Sequence, residues 1–234
     1  MNSYMDLRHI SYQKRGLEIG GPSPTGHFLY NACLSMDNVI FSKNTIWSKH
    51  TDEYKYHPYK TGKVMVHDAV NLSSIPSQSY DFVFSSHCLE HIANPIKAIK
   101  EWLRVIQTNG YLVIIVPEKS QCFDHKRDHT QFETLLKQYE KNVGEDDLST
   151  LPEILEKHDL SMDLPAGSLE QFTQRSQRNY ENRCLHHYVY SPELLHNICR
   201  YVNAEFVHTV TEGIHIWYIM KKRSSYTIHY KYKS

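Results

Sequence analysis

The sequence predicts a doubly wound α/β fold: a mostly parallel sheet, a helical insertion and a C-terminal antiparallel hairpin. Residues 111–116 are apolar at successive positions, the pattern of a strand that is buried on both faces. Short apolar segments alternate with helical segments as far as residue 117, as in chains that form parallel sheets. Residues 205–210 and 214–220 are joined through Glu212-Gly213, a spacing typical of a hairpin.

The predicted strands of the first half end in polar residues. Strand 16–19 carries Glu18 and continues into Gly20-Gly21, and the apolar segment 63–66 leads to Asp68. Strand 80–86 ends in Ser85-Ser86, followed by His87. Paired glycines let a backbone turn sharply and approach a ligand closely. Because the carboxyl ends of parallel strands meet at one edge of the sheet, we expect these residues to line one crevice.

Local signals place the other elements of this half. Asn94-Pro95 is an N-cap followed by proline at the first helical position, and we expect the helix to run to Asn109-Gly110. Residues 39–41 are predicted to form the second strand. The polar stretch 42–63 contains Pro58 and Gly62, which predict a long loop.

The second half of the chain differs in composition. Residues 118–190 are charged and rich in histidine, and they lack a strand pattern. Segments 148–155 and 169–180 are predicted helices, and we interpret the whole stretch as a helical insertion that covers the acceptor site. Ser191-Pro192 begins a further helix over 191–202.

Composition excludes several classes of protein. The 234 residues suit one domain over 1–234, and 26 basic residues balance 26 acidic ones. A net charge of zero argues against binding nucleic acid by neutralising many phosphates. We expect no membrane span and no signal peptide, since no long apolar run is present. Five cysteines without a C-x-x-C pair indicate reduced thiols and a cytoplasmic protein. The oligomeric state is not indicated.

Residues 16–117 also resemble a known family. The resemblance rests on short motifs that occur in order along this stretch: Tyr80-Asp81-Phe82-Val83, Leu89-Glu90-His91, Asn94-Pro95, Asn109-Gly110 and Val116-Pro117. Together they are similar to the class I S-adenosylmethionine-dependent methyltransferases, particularly the small-molecule group. The resemblance implies a Rossmann-like fold, methyl transfer and S-adenosyl-L-methionine as the cofactor.

The resemblance also implies roles for cofactor-binding residues. It places the loop Glu18, Ile19, Gly20 and Gly21 under the methionine part of the cofactor. It gives Asp68 a hydrogen bond from the adenine amino group, with Ala69 beside the ring, and puts Ser85, Ser86 and His87 near the sulfonium and the acceptor. A carboxylate accepts hydrogen bonds only and therefore suits an exocyclic amine.

The sequence departs from the family at the second strand. The family usually has an acid there for the ribose hydroxyls, whereas Phe41 is followed here by Ser42-Lys43-Asn44. Ser42, Asn44 and Asp37 are the alternatives for this contact.

Histidines are the candidates for catalysis. Methyl transfer to a hydroxyl is helped by a group that removes its proton, and histidine is the usual choice near neutral pH. We name His87, His125 and His187 as catalytic candidates, with surface or structural roles as the alternative. His91 is a weaker candidate. A divalent metal held by histidine and carboxylate ligands is a further alternative, but only His125 and His129 have helical i, i+4 spacing, so we predict no metal.

The insertion indicates the acceptor. The pattern around Asp124-His125, Glu145-Asp146, His158-Asp159 and His186-His187 is similar to methyltransferase-domain proteins linked to polysaccharide synthesis. We therefore expect O-methylation of a sugar or glycan hydroxyl. The alternatives are a methyltransferase for a small metabolite, a protein or RNA, and a cofactor-binding scaffold without turnover.

Overall fold

The structure is a computed structural model that describes residues 7–45 and 52–224. Its strands are β1 Arg15–Ile19, β2 Ser35–Ile40, β3 Glu53–His57, β4 Lys60–Val66, β5 Tyr80–Ser86, β6 Ile106–Pro117, β7 Glu205–Glu212 and β8 His215–Lys221. Its α-helices are α1 Arg8–Ser11, α2 His27–Ala32, α3 Pro95–Val105, α4 Phe132–Glu140, α5 Leu151–Lys157, α6 Leu169–Gln177, α7 Asn179–Asn182 and α8 Pro192–Tyr201. Five short 3-10 helices lie between these elements in the described ranges.

The strands form one sheet in the order β3-β4-β2-β1-β5-β6-β8-β7. The five central strands β4, β2, β1, β5 and β6 are parallel, and β8, β7 and β3 are antiparallel to their neighbours. The predicted fold class and the C-terminal hairpin are therefore confirmed. The strand order runs outward in both directions from the β1–β5 pair. This pair is the switch point at which open α/β sheets bind their ligands.

Both faces of the central sheet are covered. In β5, Val83 packs in one core with Leu112 of β6 and Trp102 of α3. The neighbouring Phe82 and Phe84 belong to a second core on the opposite face. Successive side chains of a strand point to opposite faces, so a strand covered on both sides has to be apolar at every position. This burial on both faces explains why β6 is apolar at successive positions.

The predicted starts of two helices are confirmed. The Asn94 side chain accepts a hydrogen bond from the backbone of Lys97, and the Ser191 side chain accepts one from Leu194. The helix α3 ends at Val105, earlier than predicted, because Ile106 already pairs with Tyr80 in the sheet.

The prediction of a long loop over 42–63 was wrong. The strands β3 and β4 form an antiparallel pair there, and positions 46–51 lie outside the described residues. Tyr54 and Tyr56 are buried while Glu53 and Lys55 are exposed, which is the alternation of a half-buried strand. Pro58 and Gly62 do not prevent these strands from forming, because Pro58 lies in the turn between them and Gly62 pairs with Tyr54.

Residues 118–190 contain helices α4 to α7. The predicted helix 148–155 is observed as α5, and the predicted helix 169–180 is observed as α6 and α7. Sequence reasoning missed α4. Leu151, Ile154, Phe172 and Leu185 form a small core of their own. No helix in 7–45 or 52–224 combines the length and apolar character needed to cross a membrane.

Candidate functional site

A cavity of about 380 Å³ lies beyond the carboxyl ends of β1, β2, β4 and β5. This volume is typical of small-molecule sites. The sheet contributes Ile19, Gly20, Phe41, Asp68 and His87 among others, and residues 118–190 contribute Glu145 and Arg183. The cavity is thus placed at the switch point of the sheet and is lined from both halves of the chain.

The glycine loop forms the floor of the cavity. Gly20 lines it with φ at +84°, and a Cβ there would lie 3.2 Å from the sulfur of Cys88. The buried side chain of Asn38 holds the next residue: its Oδ1 accepts from the Gly21 N–H at 3.1 Å and its Nδ2 donates to the Gly21 carbonyl at 2.7 Å. The loop is therefore narrow, fixed and free of side chains where it faces the cavity.

Glu18 lies beneath this loop, not at the cavity surface. Its carboxylate is fully buried and accepts hydrogen bonds from the hydroxyls of Ser23, Tyr30 and Tyr54. A Cβ at Gly21 would overlap this carboxylate. Burial raises the pKa of Glu18 to about 7, against the opposing effect of these hydroxyl donors. The observed contacts of Glu18 are with the protein, and they support the loop.

Asp68 faces the cavity, and its carboxylate forms an ion pair with Arg183 of the segment 118–190. Its Oδ1 accepts from the backbone of Val70 at 3.1 Å, and its Oδ2 lies 3.2 Å from Nη2 of Arg183. Arg183 also contacts Glu145 at 3.1 Å and lies over the rings of Phe41 and Tyr180. An ionised carboxylate has room for about four hydrogen bonds, so Asp68 keeps acceptor capacity for a ligand.

The other predicted cofactor residues are placed as follows. Ile19 and Ala69 line the cavity. Ser42 does not: its hydroxyl closes a turn with Asn44. Ser85 and Ser86 are buried below the lining, where the Ser86 hydroxyl bonds to that of Thr25 at 2.8 Å.

The predicted alternatives for the ribose contact do not line the cavity, whereas a neighbouring threonine does. Asp37 is committed to the sheet, because it accepts from the Lys63 N–H and from the Tyr80 hydroxyl, both at 2.9 Å. Thr45 lines the cavity near Phe41 and was not predicted.

Of the three catalytic candidates, His87 lies at the cavity. It follows β5 with φ at +48° and its side chain is about one-third exposed. Its Nε2 lies 2.8 Å from Nδ1 of His215, and its Nδ1 lies 3.6 Å from the Glu90 carboxylate.

His125 and His187 do not line the cavity. His125 pairs with Asp159 at 2.8 Å. His187 is buried against Asn179 and Glu145. Burial lowers the pKa of His187 to about 4, which makes it a weak base at neutral pH. The position of each side chain argues against its role as the acceptor-site base.

Beside His87 lies a cluster that the sequence did not reveal. Glu90, His91 and His186 each offer a ligand atom, and these atoms all lie within 4.8 Å of one another. The Nδ1 of His186 is 2.6 Å from the Asp124 carboxylate, which also pairs with the buried Arg127. The motif Leu89-Glu90-His91 marks two members, but nothing local connects them with residue 186.

Comparison with known families gives one match. Residues 32–114 match a family described as a methyltransferase domain. This match covers β2 to most of β6, including Asp68 and the segment with Glu90 and His91. A search of curated proteins finds no match.

Solved structures show the same fold. A methyltransferase from Methanosarcina mazei is similar with a TM-score of 0.52 at 13% identity, over 95% of this chain and 99% of that one. A Burkholderia thailandensis N1-methyltransferase solved with bound S-adenosylhomocysteine has a TM-score of 0.51 at 10% identity, over 94% and 75% of the two chains. A Thermotoga maritima methyltransferase has a TM-score of 0.50 at 17% identity, over 93% and 86%.

Domain match and fold together support an S-adenosylmethionine-dependent methyltransferase with S-adenosyl-L-methionine as its cofactor. The cavity fits such a cofactor. The turn at Gly20 leaves room that a Cβ would occupy, and Asp68 offers a carboxylate that is 38% exposed.

Proposed function

We propose that this enzyme methylates a hydroxyl group of a sugar or glycan. The observation that carries the proposal is the position of His87, which lines the cavity with the Glu90 carboxylate and His215 beside it. Hydroxyl methylation needs a group that accepts a proton, and histidine serves best near neutral pH. Glu145 and Arg183 add polar groups to the wall, which suits a polyhydroxylated acceptor.

The cofactor is held by the sheet side of the cavity in this proposal. The narrow loop at Gly20 and Gly21 receives the methionine part, with Ile19 at its start and Glu18 as the support beneath. Asp68 accepts from the adenine amino group, Ala69 lies beside the ring, and Thr45, which lines the cavity where Ser42 does not, is the candidate for the ribose. S-adenosylmethionine supplies an electrophilic methyl group on a sulfonium. The protein orients both reactants, and orientation contributes much of the rate of such displacements.

His87 acts on the acceptor. It takes the proton that the hydroxyl releases, and the neighbouring Glu90 carboxylate stabilises the resulting imidazolium. The segment 118–190 covers the acceptor, since Glu145 and Arg183 reach the cavity from it. We place the enzyme in a reducing, cytoplasm-like compartment, an assignment that its five free cysteines support.

Calorimetry and methyl-transfer assays test the proposal. The full chain is titrated with S-adenosylmethionine and S-adenosylhomocysteine, and then incubated with methyl-labelled cofactor and separate panels of oligosaccharides, small amines, peptides and RNA. We expect binding of both cofactor forms and label in the oligosaccharides. Binding of neither contradicts a methyltransferase, binding without transfer favours a scaffold, and label only in another panel contradicts the glycan acceptor.

Two variants separate the sites. Asp68→Ala is expected to weaken cofactor binding about tenfold through the lost charged hydrogen bond, whereas the exposed Asp52→Ala is the matched control. His87→Ala is expected to lower kcat by about 100-fold or more with cofactor affinity unchanged, whereas the exposed His27→Ala keeps both. Full activity of His87→Ala would exclude it as the base.

A further inference from the structure

Glu90 is an unusual residue. It is 1% exposed, and the described part of the chain supplies no hydrogen-bond donor to either of its carboxylate oxygens. The closest approach to it that the structure gives is from Nδ1 of His87, which lies 3.6 Å from Oε1, beyond hydrogen-bond distance. Burying a carboxylate is costly unless its oxygens are hydrogen-bonded, paired or bound to a metal.

The neighbouring imidazoles complete a ligand set. The rings of His91 and His186 meet edge to face with centroids 4.6 Å apart, and their ligand atoms and those of Glu90 lie within 4.8 Å of one another. Three ligands at 2.0–2.2 Å from one tetrahedral ion are about 3.5 Å from one another. Rotations that move these side chains by about 1 Å would bring all three onto a single ion.

A second carboxylate orients one of these ligands. The Oδ2 of Asp124, a residue only 3% exposed, lies 2.6 Å from Nδ1 of His186, so Nε2 is the ring nitrogen left to bind an ion. Arg127 in turn holds Asp124 at 2.9 Å. A carboxylate behind a histidine is the usual support of a metal-bound imidazole, because it fixes the ring and raises its basicity.

We propose that Glu90, His91 and His186 bind a divalent transition-metal ion of the Zn²⁺ or Mn²⁺ type, with Asp124 as the positioning residue behind His186. Two imidazoles and one carboxylate favour such ions over Mg²⁺ or Ca²⁺, which prefer oxygen ligands. Three protein ligands leave a coordination position open, as catalytic metal sites do. His91 and His87 line the cavity, so an ion bound by His91 would lie at the wall of the proposed methyl-transfer site.

The test measures metal binding directly. The full chain is stripped with a chelator, dialysed, and titrated with Co²⁺ in the visible range and with Zn²⁺ or Mn²⁺ by calorimetry. We expect one ion per chain and d–d absorption of a low-coordinate Co²⁺ site. A wild-type chain that takes up no Co²⁺, Zn²⁺ or Mn²⁺ overturns the proposal, whatever the variants do.

Variants locate the ion. Glu90→Gln and His186→Ala are each expected to weaken binding by at least about 100-fold, and Asp124→Asn by about 10-fold to 100-fold, the range known for supporting residues. The controls Glu133→Gln and His27→Ala change exposed side chains of the same types and are expected to bind as wild type does. Circular dichroism identifies variants that do not fold. Unchanged affinity in folded Glu90→Gln or His186→Ala contradicts the assignment.

The metal site rests only in part on the proposed function. Binding is read by absorbance and heat without turnover, so a bound ion in a protein that methylates no glycan would support the site and contradict the acceptor. If the chain binds no ion and methylates a glycan equally well with and without a chelator, the proposed function would be supported and the metal site contradicted.

Discussion

Two buried glutamates at the carboxyl edge of the sheet, Glu18 and Glu90, have opposite surroundings. Glu18 is surrounded by hydroxyl donors from Ser23, Tyr30 and Tyr54. Glu90 is surrounded by histidines and receives no hydrogen bond from the described residues. Both have 1% or less of their surface exposed. The same residue type at the same depth is therefore a structural support in one place and a candidate ligand in the other.

The difference lies in what neutralises each carboxylate. Neutral hydroxyls satisfy the lone pairs of Glu18 without supplying charge, so burial dominates and the pKa of Glu18 rises to about 7. Imidazoles near Glu90 favour its charged form and hold its pKa low despite burial. A carboxylate with all its hydrogen bonds made supports a loop, whereas one that is charged and lacks donors is available for chemistry.

The largest expected effect concerns the pH dependence of stability. The raised pKa of Glu18 means that the folded state favours its protonated form, so its contribution is complete below about pH 4.5 and is lost as pH rises to about 7. The side chain of Glu18→Gln cannot ionise. Over this pH range the free energy of unfolding of the variant, measured in urea, should therefore fall by up to about 3 kcal/mol less than that of wild type. An unchanged slope would contradict the raised pKa.

An intermediate effect is expected from crowding Glu18. Gly21→Ala places a Cβ where the Glu18 carboxylate lies and should cost about 2 kcal/mol in the free energy of unfolding. Gly213→Ala is the control, because Gly213 has φ at +56° but no neighbour within 4 Å, so only backbone strain of about 1 kcal/mol is expected. Equal costs for both changes would mean that the loop does not pack on Glu18 as described.

The smallest effect concerns Glu145, a third buried glutamate. Unlike Glu90, it has an arginine partner, Arg183, and accepts from the Ala93 N–H at 2.9 Å. Arg183→Gln should destabilise the fold by about 1 kcal/mol, less than the loss of about 3–5 kcal/mol for a fully buried pair, since Arg183 is 17% exposed and Glu145 keeps its backbone donor. The matched change Arg178→Gln breaks an exposed pair with Glu181 and should cost close to nothing in thermal unfolding. A larger loss at Arg178 would reverse this ranking.

Much of the fold could be predicted because its signals are local. The apolar run of β6, the caps at Asn94 and Ser191 and the hairpin β7–β8 each depend on adjacent residues. The β3–β4 pair was missed because Tyr54 and Tyr56 lie among polar residues, and their burial depends on packing from other elements. Local signals also limit how much of the site can be predicted. Gly20 and Asp68 follow strands and were predicted, Glu145 was named only as part of the insertion pattern, and Thr45 was not predicted.

The sequence by itself determined the fold class, the position of the crevice and the class of chemistry, because periodicity, caps and motifs act over a few residues. Tertiary structure alone decided that Glu18 meets Tyr54 beneath the loop and that Glu90 and His91 meet His186 beside the cavity. Such contacts join positions that are far apart in the chain, and no local spacing records them. A buried carboxylate takes its role from these distant neighbours, since they decide whether its charge is hydrogen-bonded, neutralised or left for a ligand.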